Sequence, residues 1–390
     1  MADQPLLLAA TLMRGGTSKG LFFRLEDLPE PCRIAGPARD RLLLRLMGSP
    51  DPYGNQIDGL GGATSSTSKC VLLSRSDRPG HDVDYLYGQV AIDRALVDWS
   101  GNCGNLSAAA GAFALHAGLV SPERIPRNGH CAVRIWQANI GQTLVVHVPI
   151  REGRVQQHGD FTLAGVAFPG AEIAVEFHPP EEAGDVLPTG NPVDELEVAG
   201  EGRLQATLVD AGIAAVLVRA EDLGYLGTEL QGDLNGDSEA LARLERIRVA
   251  GALRMGLIQH AEEALDRQHT PKLVMVAPPR DSQLASGQTL AAGDIDLLVR
   301  ALSMGRLHHA MMGTAAIALA AAVAIPGTLA REAAREYRAG PVRLGHPSGC
   351  LSLGCEVHRV GQRWRPGPAI MQRSARILME GQVWLPPDCL

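Results

Sequence analysis

Residues 311–330, MMGTAAIALAAAVAIPGTLA, carry no charged side chain and constrain the fold more than any other stretch of the chain. The segment is about long enough to cross a bilayer as a helix. It is built mostly of Ala rather than Leu, however, and Pro326-Gly327 interrupts it. A helix that is apolar all round belongs in a membrane or in a core, and this one is expected to be the buried central helix of a soluble domain, over 314–324. A second Ala-rich helix is expected over 105–117, opening after Gly104 and closed by Gly118. Around both lie short runs that alternate or stay apolar between Gly, Pro, Asn and Asp, the pattern of strands. They fall at 21–23, 69–74, 83–90, 132–137, 143–149, 172–177, 206–209, 213–218, 273–277 and 377–383. Amphipathic helices are expected over 238–255 and 294–307, with Ser238 and Asp294 as N-caps.

A chain of 390 residues suits two domains. The Pro-, Gly- and acid-rich stretch 178–194 reads as their linker. The expected domains are 1–187, joined by the C-terminal strand 376–390, and 188–375. Each half is β-rich and holds one Ala-rich helix, although no sequence repeat relates them.

The net charge is −7 with no basic run, which argues against a nucleic-acid partner. It leaves an anionic substrate open, because a pocket can be locally positive in an acidic protein. Seven scattered cysteines with no C-x-x-C suggest neither a disulfide framework nor a metal site, and a reducing cytoplasm fits them. The N-terminus has no basic region before its short apolar stretch, which reads against a signal peptide. No membrane partner is expected.

Five Gly/Ser/Thr-rich segments offer backbone N–H groups and small hydroxyls to anionic oxygens: Arg14–Gly20, Gly59–Cys70, Ser100–Asn105, Met312–Thr314 and Gly345–Gly349. Lysine is scarce. Lys19, Lys69 and Lys272 are the only three, and the other 33 of the 36 basic residues are Arg. Lys19 and Lys69 each end a Thr-Ser-Lys tripeptide in a Gly-rich loop. Arg keeps its proton, whereas a buried Lys can exchange one. At least one of the two therefore reads as a catalytic base; the competing reading makes both ordinary charged donors to substrate carboxylates. Cys103, set in Gly-Asn-Cys-Gly-Asn before a helix, stands where negative charge is favoured, so a thiolate could move a proton there. The competing reading is a small residue packed at a turn. Cys70, followed by Val-Leu-Leu, reads as structural. Ser66-Thr-Ser-Lys69 matches S-x-x-K, a serine-hydrolase motif, but no S-D-N or K-T-G follows. The order of a phosphate loop is absent. His308-His309, at the end of the expected helix over 294–307, lacks a ligand set for a metal.

These motifs together carry a resemblance. Met13-Arg-Gly-Gly-Thr-Ser-Lys-Gly20, Gly61-Gly-Ala-Thr-Ser-Ser-Thr-Ser-Lys69, Gly101-Asn-Cys-Gly-Asn105, Pro188-Thr-Gly-Asn191, Met311-Met-Gly-Thr314, Gly345-His-Pro-Ser-Gly349 and Ala375-Arg-Ile-Leu-Met-Glu-Gly381 run in the order found in the PrpF family. The chain closely resembles those 2-methylaconitate cis–trans isomerases of propionate breakdown from residue 11 to about 382. The resemblance implies an α+β fold of two diaminopimelate-epimerase-like domains, each a curled, mostly antiparallel sheet around a central helix, with the active site in the interdomain cleft. It implies Lys69 and Cys103 as the acid/base pair, and no cofactor. It implies a small polycarboxylate substrate held by Thr17, Ser18, Lys19, Ser65, Ser66, Ser68, Gly104, Asn105, Asn191, Met312, Gly313, Thr314, His346, Ser348 and Gly349. Epimerases of this fold place a cysteine at each central helix. Here the second helix opens with Met312-Gly313-Thr314, so a two-cysteine racemase is not expected; Cys350, after the His-Pro-Ser-Gly loop, is the place to look for a second thiol.

The related methylitaconate isomerase and 4-oxalomesaconate tautomerase reactions remain alternatives, as do a serine hydrolase using Ser66 and Lys69 and a non-catalytic accessory of an iron–sulfur methylcitrate dehydratase. That dehydratase is also a functional partner to test, and a homodimer is compatible with the sequence.

Overall fold

The computed structural model describes residues 5–179, 184–335 and 340–386. The chain has a mixed α/β fold and divides into two compact units, Met1–Glu176 with Gln372–Leu390, and Phe177–Met371. The divide falls ahead of the expected linker, of which residues 180–183 lie outside the described residues. Val186 and Leu187 of that stretch are buried, and Val186 N–H donates to Trp364 O at 2.8 Å, so its second part is packed structure.

The first unit contains strands β1 (Leu6–Gly15), β2 (Ser18–Arg24), β3 (Lys69–Arg75), β4 (Val83–Val90), β5 (Val97–Asp98), β6 (Asn128–Gln137) and β7 (Gln142–Arg151). Helix α1 (Pro37–Met47) lies between β2 and β3, and α2 (Gly104–His116) between β5 and β6. The ladder runs β1 antiparallel to β2, β2 parallel to β3, β3 antiparallel to β4, β4 parallel to β6, and β6 antiparallel to β7, with β5 a short spur on β4.

The second unit contains β8 (Gly202–Ala211), β9 (Ile213–Arg219), helix α3 (Ser238–Arg254), β10 (Lys272–Ala277), β11 (Leu297–Ser303), β12 (Arg306–Leu307), helix α4 (Gly313–Ala324), β13 (Val342–His346) and β14 (Gly349–Val360). Its ladder repeats the same sequence of directions: β8 antiparallel to β9, β9 parallel to β10, β10 antiparallel to β11, β11 parallel to β13, and β13 antiparallel to β14, with β12 a spur on β11. The final strand β15 (Ala375–Leu385) returns to the first unit and pairs antiparallel with β1.

Each sheet is covered on both faces, and the strand period of two sorts the side chains. In the first unit Leu21, Phe23, Cys70 and Leu72 join Leu42 and Leu46 of α1 in one core. Burying each such Leu or Phe contributes about 1.5–3 kcal/mol. Helix α1, unanticipated in the sequence, has Pro37 at its start and Gly48 in the left-handed region (φ 75°) at its end, the asymmetry expected of a helix. Helix α2 packs on the opposite face and is buried at every position from Gly104 to Leu115. Ala is the best helix former and leaves room for close approach. Gly111 shows how close, since a Cβ there would stand 2.6 Å from Val146. Helix α4 is likewise buried from Gly313 to Val323. No helix among the described residues is long and apolar enough to cross a membrane.

The expected helix over 294–307 is instead strand β11. All seven of its residues are buried. Arg300, a charged residue inside the strand, is 0% exposed, with Nε donating to Glu229 O at 2.5 Å. His308 and His309 consequently follow a strand, not a helix. Helix α3 forms, but Asp237 rather than Ser238 caps it, accepting from the N–H groups of Glu239 and Ala240.

The two ladders place two of the three lysines alike. Lys69 opens β3 and Lys272 opens β10, each on a strand that runs parallel to the preceding hairpin and antiparallel to the next strand. Lys272 Nζ donates to Ser303 Oγ on β11 at 3.1 Å and lies 3.2 Å from His269 Nδ1.

Candidate active site

Because Cys70 and Leu72 belong to the α1-side core, Lys69 projects toward the α2 side. Its Cα lies opposite that of Gln89, and Val71 lies opposite Tyr87. Lys69 is 4% exposed. Its Nζ donates to Gln89 Oε1 at 2.5 Å and to Tyr87 Oη at 2.7 Å. Gln89 is fixed in turn, its Nε2 donating to Ser68 O at 3.0 Å and Ser65 O at 3.2 Å. Burial first, and negative charge on Cys103 second, push Tyr87 well above the usual phenol range, so its O–H stays a donor to Gln89 Oε1 at 2.5 Å.

No carboxylate pairs with Lys69 among the described residues, and burial lowers its pKa, opposed by the charge of Cys103. A neutral amine has two N–H donors and one lone pair. In that form both donors would be engaged by Gln89 and Tyr87, with the lone pair left to take a proton.

Cys103 is the N-cap of α2, with an extended backbone (φ −114°, ψ 95°). Its carbonyl accepts from Ser107 N–H at 3.0 Å, Ser107 Oγ at 3.1 Å and Tyr85 Oη at 3.5 Å. Its side chain makes no cap hydrogen bond, so the thiol is left out of the helix's own bonding. The aligned peptide dipoles favour negative charge at this end.

The turn between β1 and β2 sits directly on the start of α2. A Cβ on Gly15 would stand 2.6 Å from Asn105 O, and one on Gly16 (φ 51°) 2.3 Å from Asn105 Oδ1. Asn105 Nδ2 donates to Thr17 Oγ1 at 3.0 Å, and its Oδ1 accepts from Arg373 Nε at 3.0 Å. Arg14 Nη1 holds the turn, donating to Gly16 O at 3.1 Å and Ser374 O at 3.0 Å. Ser18, buried, pairs with Gly15 to close the hairpin.

The Gly59–Cys70 segment packs beside this turn. Lys19 N–H donates to Ser66 O at 2.9 Å. Ser66 Oγ lies 2.9 Å from Thr64 Oγ1, while Lys69 Nζ is committed to Gln89 and Tyr87, so no Ser66–Lys69 hydrolase dyad forms. Ser68 is 0% exposed; its Oγ donates to Val90 O and accepts from Gln56 Nε2 at 2.8 Å. That hydroxyl fixes the loop.

In the second unit Met312 is the N-cap of α4, the place Cys103 takes on α2, followed by Gly313 and buried Thr314. Gly212 (φ 72°), at the β8–β9 turn, approaches this helix start as Gly15 and Gly16 approach α2; a Cβ there would stand 3.1 Å from Thr314 O. His346 and Gly349 close the β13–β14 hairpin. Ser348 N–H donates to His346 Nδ1 at 3.2 Å and Ser348 Oγ to His309 O at 2.5 Å. Asn191 is exposed, and its Nδ2 donates to Asp194 Oδ1 at 3.1 Å, a bond internal to its loop. Cys350 packs on the core that holds Leu244 and Ile247 of α3, and burial raises its pKa, which suits a packed thiol.

Three contributors escaped the sequence reading. Tyr87 and Gln89 had a usable signal, since with Tyr85 they set polar tips at alternate positions of β4. Arg373, 1% exposed, had none, because it reaches Asn105 from 268 positions away.

The fold and the site first define a class, α/β isomerases. The chain shares its fold with the crystal structure of methylitaconate-delta-isomerase, at a TM-score of 0.74 and 34% identity over 99% of this chain and 97% of that one. It also shares its fold with a probable proline racemase from Agrobacterium radiobacter K84, at a TM-score of 0.53 and 14% identity over 98% and 94%. The chain belongs to the PrpF family, whose model, described as PrpF protein, matches residues 6–386. A 2-methyl-aconitate isomerase from Shewanella oneidensis is 62% identical over 384 residues, 97% of each chain.

Proposed function

We propose that this chain is a 2-methylaconitate isomerase in which Lys69 and Cys103 are the acid/base pair. The 62% identity to the Shewanella enzyme over nearly the whole length supports the activity. The observation that carries the chemistry is Lys69: a buried amine, hydrogen-bonded to Gln89 and Tyr87 and to no carboxylate among the described residues, whose pKa burial lowers and charge on Cys103 raises.

One of the pair takes a proton from the methylene next to a substrate carboxylate. The C–H electron pair moves into a dienolate, and the original C=C loses its double-bond character. Rotation about that bond, and return of a proton to the same carbon, give the other geometric isomer. Pre-oriented donors at Thr17, Ser18 and Gly104 neutralise the developing charge, the larger share of catalysis in sites of this kind; Thr314 and Ser348 are further candidates.

We also read each unit as a diaminopimelate-epimerase-like domain. The matched ladders, each with one buried Ala-rich helix, support that finer description.

The test is proton NMR of purified protein with cis- or trans-2-methylaconitate in D2O. Interconversion with deuterium entering the methylene is expected, and Lys69→Ala should abolish both. Equal exchange by wild type and Lys69→Ala would overturn the role of Lys69.

A further inference from the structure

We propose that Arg373 is the cation that receives a substrate carboxylate at the start of α2, and that through Asn105 it also positions the turn that closes over that carboxylate. The inference rests on the tricarboxylate reading above.

Arg373 is 1% exposed, on the β-strand segment Arg363–Arg373. A guanidinium offers five N–H donors in a planar fork. Here Nε is used on Asn105 Oδ1 at 3.0 Å and one Nη1 bond on Gln372 O at 2.8 Å. The Nη2 edge makes no hydrogen bond, and the group forms no ion pair, among the described residues. A buried cation without a counter-charge is costly, and natural proteins keep one where a ligand supplies the charge. Burial lowers its pKa to about 10, which still leaves it a cation at neutral pH.

Its surroundings fit an anion. Charge on Cys103 would favour the protonated forms of both Arg373 and Lys69, and neither has a carboxylate partner among the described residues. Asn105 adds its place in the first turn of α2, where backbone N–H groups point outward. A bidentate guanidinium–carboxylate pair supplies direction as well as charge, which a lysine at this position could not. The bond from Nε to Asn105 couples that pair to the Thr17 hydroxyl, because Asn105 Nδ2 donates to Thr17 Oγ1.

The probe is tricarballylate, a saturated tricarboxylate that cannot react, titrated calorimetrically into wild type, Arg373→Gln and Arg373→Lys. Arg373→Gln should bind it roughly thirty-fold more weakly or worse, while Arg373→Lys, which keeps the charge but loses the fork, should lose roughly ten-fold or less. In isomerisation, KM should rise by more than kcat falls. Wild-type affinity in Arg373→Gln overturns the proposal. Equal losses in the two variants, with melting temperatures falling in parallel, also overturn it, since that is the signature of packing alone. Should Arg373→Gln fail to fold, a crystal structure of the wild type with tricarballylate decides. A carboxylate oxygen within hydrogen-bond distance of Nη2 supports the assignment, and its absence refutes it. The outcome is separable from the activity itself: a wild type that binds tricarballylate through Arg373 yet does not isomerise 2-methylaconitate leaves this site standing and removes the function.

Discussion

Lys69 Nζ stands 2.5 Å from Gln89 Oε1, an uncharged acceptor where an ion pair would place a carboxylate. The amide orients the amine without holding its proton. Gln89→Glu should therefore raise the Lys69 pKa, because an opposite charge at that distance favours the ammonium. The ascending limb of kcat/KM against pH should move to higher pH, and activity near neutrality should fall about 100-fold or more. An unchanged pH profile would remove Lys69 as the base.

Lys69 also has a stability signature. In the unfolded chain it keeps its proton up to about pH 10.4, whereas burial makes the folded form release it at lower pH. Between those two values the unfolded state binds more protons, so stability gained from this group rises with pH across that window. Below the window the buried charge is a standing cost. Lys69→Met should be inactive yet melt about 2–8 °C higher at neutral pH, with the gain shrinking as pH approaches 10. Thermal melts at several pH values check this, and a destabilised Lys69→Met would contradict it.

Cys103→Ser should lose about 100-fold or more in isomerisation if the thiol carries a proton, with little change in melting temperature, because the thiol makes no cap bond. A loss below about five-fold would assign Cys103 to packing.

Gly16→Ala probes the turn. The new methyl would meet Asn105 Oδ1 at 2.3 Å on a backbone with φ 51°. Strain of this kind costs about 1–3 kcal/mol, readable in chemical denaturation, and activity should drop along with it because Asn105 must move. Activity at the wild-type level would show that Asn105 is not part of the site.

Ser66→Ala should leave kcat nearly intact, since Ser66 Oγ meets Thr64 and not Lys69. A rise in KM of up to about ten-fold is compatible with one lost hydrogen bond. A fluorophosphonate probe should not label Ser66; labelling would reopen the hydrolase reading.

Much of this was legible in the sequence. Strand β4 is found at 83–90 as expected, and both buried helices start within a residue of the expected positions, because Gly and Ala mark them so strongly. Lys69 and Cys103 were singled out by rarity and by position before a helix, and the structure finds Lys69 buried and Cys103 at the N-cap of α2. The helix reading at 294–307 failed because a fully buried central strand has no polar face to betray its period, and charged residues such as Arg300 interrupt its apolar run. Helix α1 went unread because its apolar residues, Leu42, Leu43, Leu44, Leu46 and Met47, form a near-continuous run rather than a helical stripe. The matched positions of Lys69 and Lys272 needed strand register, which leaves no trace in local composition. Arg373 needed the return of the chain to the first unit at Gln372.

The doubled ladder has a consequence for how this protein can change. Its two halves share a scaffold but not a sequence, so the scaffold depends on strand direction and buried volume rather than on the residues at the helix starts. Cys103 and Met312 occupy the same address in each copy, and only one carries a reactive atom. With the thiol role proposed for Cys103, a framework of this sort lets one address change while its twin stays fixed, and Met312 is the address left open to change.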